Sequence, residues 1–348
     1  MGLPDISIKF ETLASSAIKR SENGIVAILI KDSEATSSSY IFTNFSDVKS
    51  SDFSSTNYDY IRLVFEGKPF KVLVEVVEEE LGECLTRLIN KKFNYLCYPE
   101  AQIVDNTAIK SWILEQRKNN RMKKAVLANT AADDEGIINF TTSGIKVDSK
   151  TYSASDYTAR IAGILAGLPA TRSATYFVLD EVEEITESST PDADIDGGKL
   201  ILINDGRKIK IARGVNSLVT TNNKKSEEFK KIKIVEAMDL MLEDIKNTFE
   251  DEYVGKVNNS YDNKCLLVSS INAYFTQLQR DDILDPNNDA LVEVDYIANK
   301  LYLESKSIDT STMNDAQLKF ANTGSKVFLK GKCKILDSME DIEFVINI

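Results

Sequence analysis

The order of apolar patterns along the chain is the feature that most limits the folds available to it. From residue 60 onwards, short apolar runs typical of strands alternate with segments whose apolar residues recur every three or four positions, as in helices. An earlier run, IVAILIKD at 25–32, is almost wholly apolar, which is typical of a buried strand. Strands that alternate with helices form an α/β sheet with helices packed against it. We therefore predict an α/β domain over residues 21–190.

One helix of this domain is predicted from its capping pattern. It covers residues 153–169, where Ser153 and Asp156 stand at capping-box spacing. Gly163 and Gly167 lie four residues apart, a spacing that allows another helix to approach closely. The strands predicted after residue 32 include those at 60–67, 70–77, 93–99, 123–129 and 174–185.

A polar break at 187–198, ESSTPDADIDGG, is the strongest candidate for a domain boundary. Within it, DADIDG resembles the opening of an EF-hand loop, but Ile203 stands where the bidentate glutamate is needed, so an acidic linker is favoured. After the break, Asn204-Asp205-Gly206 is a strong hairpin signal, and a long amphipathic helix is predicted at 229–253. Residues 191–330 are thus expected to form an α+β domain. Its second helix is predicted around an apolar stripe of Leu267, Ile271, Phe275 and Leu278.

The absence of histidine from all 348 residues removes a large group of catalytic mechanisms. Ser-His-Asp and Cys-His catalysis, histidine metal ligation and imidazole proton transfer are all excluded. The four cysteines are far apart without a CxxC pair, and neither a dinucleotide-binding nor a phosphate-binding loop occurs. We therefore predict no enzyme activity, cofactor or metal site, although a hydrolase based on carboxylates or lysine remains an alternative.

Charge and hydropathy limit the partners of the chain. It carries 42 basic and 54 acidic side chains, a net charge of −12, which argues against a nucleic-acid binder. It contains no run of about 18 apolar residues, so no membrane span is expected. Isolated thiols, and the lack of a signal-peptide pattern in MGLPDISIKF, predict synthesis in a reducing cytoplasm.

Both ends of the sequence show the alternation of a half-buried strand. Near the beginning, Ile6, Ile8 and Phe10 share one face. Near the end, the shared face holds Ile342, Phe344, Ile346 and Ile348.

Neither of these two arms is expected to be stable by itself. Burying four large apolar side chains contributes about 6–12 kcal/mol, and ordering about seven residues costs a similar amount of backbone entropy. Each arm therefore needs an existing sheet edge, either within its own chain or on another molecule. Two arms at opposite ends favour strand addition between molecules. A subunit that both gives and receives strands makes a head-to-tail contact, which can grow into a helical array.

Lysines are concentrated in NNKKSEEFKKIKI, at the start of the long predicted helix. The five are Lys224, Lys225, Lys230, Lys231 and Lys233. The positive end of the helix dipole offers cations no stabilisation there. An acidic partner surface is one interpretation of the cluster, and a solvated helix end is the other.

Taken in order, several segments resemble those of contractile tail sheath proteins, of the compact kind found in phage-like particles and R-type bacteriocins (diffocin-like). These segments are NGIVAILIKD, SASDYTARIAGILAGLPATRSATY, IKIARGVNSLVT, FKKIKIVEAMDLMLEDIKNTFEDEYVGKVNN and KCKILDSMEDIEFVINI. The resemblance implies a subtilisin-like but non-catalytic α/β middle domain and a tube-facing α+β C-terminal domain. Strand-exchange arms would flank these domains at residues 1–20 and 331–348.

The resemblance also implies how such a protein works. Hexameric rings would stack helically around an inner tail tube protein, joined by exchanged arms, with baseplate and tail terminator proteins at the ends. The sheath would contract and drive the tube through a target envelope, as part of a phage or bacteriocin tail. The acceptor edge would be a hairpin within Lys199–Thr220, and the lysine cluster would face the tube. A non-contractile tube or capsid protein is the alternative.

Overall fold

The computed structural model of the protein describes residues 24–223 and 225–346, which fall into two compact units. The first unit contains residues 24–223 and 225–239 together with 337–346. The second unit contains Leu240–Leu336.

The division into compact units differs from the domain boundary predicted at residue 190. Residues 191–239 pack in the first unit, so the units divide at the start of Leu240–Leu336 instead. The predicted N-terminal arm at 1–20, with Ile6, Ile8 and Phe10, lies outside the described residues, as do Lys224 and Ile348.

Strands and helices alternate along the described chain. The strands are β1 (Ile25–Ile30), β2 (Ser39–Phe42), β3 (Lys71–Val76), β4 (Tyr95–Cys97), β5 (Lys124–Ala128), β6 (Ile137–Phe140), β7 (Ser143–Val147), β8 (Lys150–Tyr152), β9 (Glu184–Thr186), β10 (Lys199–Leu200), β11 (Leu202–Asn204), β12 (Ile209–Ile211), β13 (Leu291–Val294) and β14 (Leu329–Lys332). The helices are α1 (Ser55–Glu66), α2 (Leu81–Leu88), α3 (Ile103–Lys118), α4 (Ala154–Gly167), α5 (Pro191–Asp196), α6 (Ile232–Glu252), α7 (Tyr261–Arg280), α8 (Tyr296–Ser305) and α9 (Asp315–Phe320).

The first unit is built on a seven-stranded sheet with the strand order β10-β6-β5-β4-β1-β3-β2. All neighbouring strands run parallel except the edge strand β2, which is antiparallel to β3. Strand β1 is buried at all six positions, as its apolar sequence requires. The prediction of a mixed α/β protein is confirmed, and the structure shows that its central sheet is mainly parallel.

Helices α1 and α4 approach each other closely because glycines remove the side chains between them. A Cβ atom on Gly163 would lie less than 3.0 Å from the backbone of Val64. A Cβ atom on Gly167 would come equally close to the backbone of Gly67, which caps the end of α1. The close helix packing that the glycine spacing allowed is therefore present, and its partner is α1.

Two of the predicted strands are wrong. Residues 60–67 belong mainly to α1, and their β-branched and aromatic composition had favoured a strand. Their buried positions nevertheless repeat with a helical period, at Tyr60, Ile61, Leu63 and Val64. Within 174–185, regular strand begins only with β9. Tyr176 there adopts a φ of 57°, which interrupts an extended run.

The second unit combines α7, α8, α9 and most of α6 with the antiparallel sheet of β13 and β14. Both long helices occur where the sequence predicts them, and α7 buries its whole predicted stripe of Leu267, Ile271, Phe275 and Leu278. The hairpin predicted around Asn204-Asp205-Gly206 is also present, as β11 and β12. It lies in the first unit, and the acidic break before it forms the short helix α5.

A substitution at the glycine contact tests the packing of α1 against α4. Gly163→Ala is expected to lower the free energy of unfolding by about 1–3 kcal/mol, because its methyl group would overlap the backbone of Val64. Gly82→Ala is the matched control, since Gly82 lies within α2 and a Cβ there meets open space. That change should stabilise the protein by about 0.5–1 kcal/mol. Urea denaturation measures both, and equal losses at the two glycines would contradict the close contact.

Candidate assembly site

The predicted C-terminal arm, residues 331–348, is divided by the structure into parts with different contacts. Its first residues are held by backbone hydrogen bonds in the second unit. Gly331 and Lys332 belong to β14, and the Leu336 N–H donates to the carbonyl oxygen of Ile283 at 2.9 Å. These residues are therefore part of a folded unit and not of a free arm.

The next five residues, Asp337–Asp341, form what we call the anchor segment, which is held by side chains of the first unit. Glu340 is its buried member, with a side chain 7% exposed. One carboxylate oxygen of Glu340 accepts hydrogen bonds from the hydroxyls of Ser173 at 2.8 Å and Thr175 at 2.7 Å. The other oxygen lies 3.7 Å from the Nε of Arg213.

The residues that hold Glu340 are themselves fixed in place. The Thr175 hydroxyl also accepts from the Gly214 N–H at 2.9 Å, and the Ser173 hydroxyl accepts from the Thr175 N–H at 3.1 Å. These bonds tie two loops together into a preformed cradle. We call Ser173, Thr175, Arg213 and Lys231 the socket.

Two ion pairs flank Glu340 in the socket. Lys231 donates to Asp337, and Arg213 donates to Asp341 at 2.5 Å. Partial burial is the largest single effect on Asp337 and would by itself raise its pKa. The hydrogen bond from Lys231, the backbone hydrogen bond from Ser338 and the charges of Lys231 and Lys233 together outweigh it, so this pKa lies below its usual value. The contribution of Asp337 to stability is therefore present above its ordinary pKa and is lost as the pH falls through the lowered value.

Beyond Asp341 the chain leaves the surface of its own unit. Residues Ile342–Ile346, which we call the exposed segment, form no strand with any described residue. Ile342 is 92% exposed, Phe344 76% and Ile346 68%. Three large apolar side chains on one face of a potential strand are thus left in water, a cluster that usually marks an interaction site.

The structure does not gather the four described lysines of the cluster into one free positive surface. Lys225 pairs with Glu135, and Lys230 lies 2.7 Å from Glu227. Lys231 belongs to the socket, and Lys233 is buried beside it. Burial lowers the pKa of Lys233, although Asp337 and Glu340 nearby favour its charged form.

The hairpin expected to accept a foreign strand has one edge that is already occupied. Outside β12, residues 176–179 of the same chain make backbone hydrogen bonds of 2.9 Å with Ile209 and Ile211. The structure therefore gives no support to this edge as the acceptor. The sequence did not reveal that the edge is occupied, because 174–185 was interpreted as an ordinary strand.

Strand β14 of the second unit offers an edge of a different kind. The Asp295 N–H donates to the carbonyl oxygen of Phe328. Because hydrogen-bonded and non-hydrogen-bonded pairs alternate in an antiparallel ladder, the backbone N–H and C=O groups of Leu329 and Gly331 face away from β13. Among residues 24–223 and 225–346, neither residue has a hydrogen-bond partner on that side. At the opposite edge of this sheet, the side chain of Asn272 makes two hydrogen bonds with the backbone N–H and C=O of Val292 in β13.

Two other classes of site are absent from the described residues. Across 24–223 and 225–346, no helix has both the length and the apolar composition needed to cross a bilayer. No group of three or more cysteine, aspartate or glutamate side chains in these ranges is arranged to hold a metal ion.

Comparison with known families places these features in context. Residues 75–217 match the family described as phage tail sheath protein central domain, and residues 224–348 match the phage tail sheath C-terminal domain. A tail sheath protein of Clostridium phage phiCD119 is 41% identical over 360 aligned positions, which cover 100% of this chain and 99% of the relative. The chain belongs to the phage tail sheath protein family. It is thus a contractile-tail sheath protein, a structural component and not an enzyme.

Solved structures share the fold of this sheath protein at much lower identity. The contracted helical sheath of the anti-feeding prophage matches with a TM-score of 0.73 and 13% identity, covering 100% of this chain and 99% of that one. A sheath tail protein from Desulfitobacterium hafniense matches with a TM-score of 0.71 and 15% identity, covering 84% and 93%. The family boundary between 217 and 224 lies closer to the structural division than residue 190 does.

A pair of serine substitutions tests whether the exposed segment supports the fold of its own chain. Phe344→Ser is expected to change the free energy of unfolding by no more than about 0.5 kcal/mol, because the ring is mostly in water. Phe275→Ser removes a ring that is 6% exposed and should cost about 3–5 kcal/mol. Urea denaturation compares the two, and a comparable loss for Phe344→Ser would mean that this ring packs on its own chain.

Proposed function

We propose that this protein assembles into a helical sheath of stacked hexameric rings, in which each copy inserts its exposed segment into the edge of a neighbouring copy. The single observation that carries the proposal is the abrupt change at Ile342. The chain is held by the socket up to Asp341, and immediately afterwards it presents apolar side chains at strand spacing to solvent.

The energetics favour an acceptor on another molecule. Moving Ile342, Phe344 and Ile346 out of water would contribute about 1.5–3 kcal/mol each. Pairing their backbone with an open edge satisfies hydrogen bonds that the segment lacks among the described residues of its own chain. If the segment were paired with a strand of its own unit, these side chains would be buried. In the structure they are exposed.

Strand β14 supplies the acceptor edge in this proposal. Its outward backbone groups at Leu329 and Gly331 have the spacing of a ladder that lacks its next strand. Exposed polar edges of this kind are templates for pairing with another chain. The N-terminal arm, with Ile6, Ile8 and Phe10 as anchors, is the proposed second donor, so that each copy is tied to more than one neighbour.

The finer features of the apparatus follow from the sheath role. The rings enclose an inner tail tube protein, end at baseplate and tail terminator proteins, and contract to drive the tube through a target envelope. The particle is the tail of a phage or an R-type bacteriocin, and the middle domain has the fold of subtilisin without its catalysis. Contact between the lysine cluster and the tube stays a prediction, and the ion pairs of Lys225, Lys230 and Lys231 give these side chains a role within the chain.

Removing residues 342–348 tests the donor. The shortened protein is expected to remain folded, because the segment contributes no buried side chain between 342 and 346, and to form no sheaths. The cut falls after Asp341 so that its ion pair with Arg213 is kept. Negative-stain electron microscopy of the purified protein is the measurement. Sheaths of normal appearance from the shortened chain would contradict the proposal.

A proline on β14 tests the acceptor. Leu329→Pro removes an N–H that faces away from β13, so the ladder within the unit keeps its hydrogen bonds while the outer edge loses a donor. Assembly is expected to fall sharply, whereas Leu329→Ala, which shortens the side chain but keeps the N–H, should assemble. Circular dichroism establishes that both variants fold, and sedimentation measures assembly. Equal assembly of the two folded variants would exclude this edge as the acceptor.

Two lattice states distinguish a sheath from the alternative of a non-contractile tube or capsid protein. Particles imaged before and after triggering should have different helical parameters for the same protein, because contraction exchanges one set of lateral contacts for another. A single invariant lattice would favour the alternative.

A further inference from the structure

The anchor segment differs from the chain on either side of it in how it is held. Before it, Lys334 and Leu336 make backbone hydrogen bonds with Asp285 and Ile283, the kind of contact that continues a sheet. After it, the exposed segment has no partner among the described residues. Between them, Asp337–Asp341 makes only side-chain contacts to the socket.

The composition of the anchor segment limits the strength of this attachment. Met339 lies at its centre and is fully exposed, so the segment buries no large apolar side chain. The Asp341 side chain is 81% exposed and that of Asp337 is 37% exposed, and ion pairs in such positions add little stability because water and salt screen them. Glu340 alone is buried.

We propose that the anchor segment is a releasable latch, which holds five residues of arm against the socket and lets them out when a neighbouring copy pulls on the exposed segment. A strand inserted into a neighbour is fixed by a continuous ladder and by apolar burial, whereas the latch is fixed by Glu340 and two exposed ion pairs. When neighbouring copies move and strain the connection, the latch is the weaker of these two attachments. It therefore opens before the inserted strand is pulled out.

Release of the latch would change the reach of the arm substantially. With the latch closed, the chain from 342 to 348 spans at most about 23 Å at 3.3 Å per residue. With the latch open, the chain from 337 to 348 spans about 40 Å. Neighbouring copies could therefore rotate and slide during contraction without losing their connection. The inference rests on the proposed exchange of arms between copies.

Distances between spin labels test the latch in the free protein. Met339→Cys places a label on the fully exposed position of the anchor segment, and Lys208→Cys places the second on the exposed β11–β12 turn. Cys333 and Cys265 are changed to serine, while Cys84 and Cys97 are buried. Pulsed electron paramagnetic resonance should give a narrow 339–208 distance distribution. A reference pair at Ile346→Cys and Lys208→Cys should give a broad one.

Socket variants then test what holds the latch. Ser173→Ala together with Arg213→Gln, or high salt, should broaden the 339–208 distribution towards that of the reference pair. Glu343→Gln is the matched control, because it removes one charge from the exposed segment without touching the socket, and should leave the distribution narrow. A 339–208 distance distribution that is already broad in the parent protein, or that is unchanged in the socket variants, would contradict the proposal of a latch.

The same label pair tests release in assembled sheaths, with labelled copies diluted in unlabelled protein. The 339–208 distance is expected to keep its free-protein value in one lattice state and to lengthen in the other. A distance that is unchanged in both states would overturn the proposal that the latch opens during contraction. Failure to form any sheath would count against the proposed function instead, and the free-protein distances would still decide whether the latch exists.

Discussion

A single β-strand cannot satisfy its own backbone hydrogen bonds, and this constraint governs the proposed assembly of the sheath protein. The exposed segment presents apolar side chains at strand spacing without a ladder on either side among the described residues. Strand β14 presents the complementary defect, an edge whose outward N–H and C=O groups have no partner in that part of the chain. Each copy thus has two unpaired strand edges, and in the proposed assembly a second copy supplies the partner that each edge lacks.

The rest of the first unit is tightly packed and holds the start of the arm in a defined position. The seven-stranded sheet is covered by helices that approach as closely as the glycines between α1 and α4 allow. A buried ion cluster joins the sheet to the first turns of α6, where Asp239 accepts from Lys124 of β5 and from Arg117 of α3, each at 2.8 Å. Removing one partner from such a buried ion pair is strongly destabilising, because the remaining charge is left buried without compensation. The socket is built on the same unit, so the arm starts from a defined position.

The sequence predicted those elements whose pattern is local. The alternation of strands and helices, the helix α6, the stripe of α7 and the hairpin β11–β12 all follow from periodicity and turn residues that lie side by side in the chain. It failed at 60–67, where residue types favoured a strand and spacing favoured a helix. It also failed at 174–185, where the left-handed backbone of Tyr176 leaves no mark in the residue types.

The exposed segment could be predicted from the sequence and the socket could not, for the same reason. The alternation of Ile342, Phe344 and Ile346 was visible in the sequence, and it is these side chains that the structure leaves in water. The socket was not predictable, because Ser173, Arg213 and Lys231 lie far apart in the chain and meet Glu340 and its neighbours only through the fold. The sequence left open whether Lys231 faces a partner or only solvent, and in the structure it forms an ion pair with Asp337 of the same chain.

The most direct test of the account is a cryo-electron microscopy reconstruction of the assembled sheath, at a resolution that traces the chain from Asp337 onwards. The account predicts that Ile342, Phe344 and Ile346 of each copy are buried in a β-ladder formed with a different copy. A reconstruction in which these residues remain in solvent, or fold back onto their own chain, would contradict it.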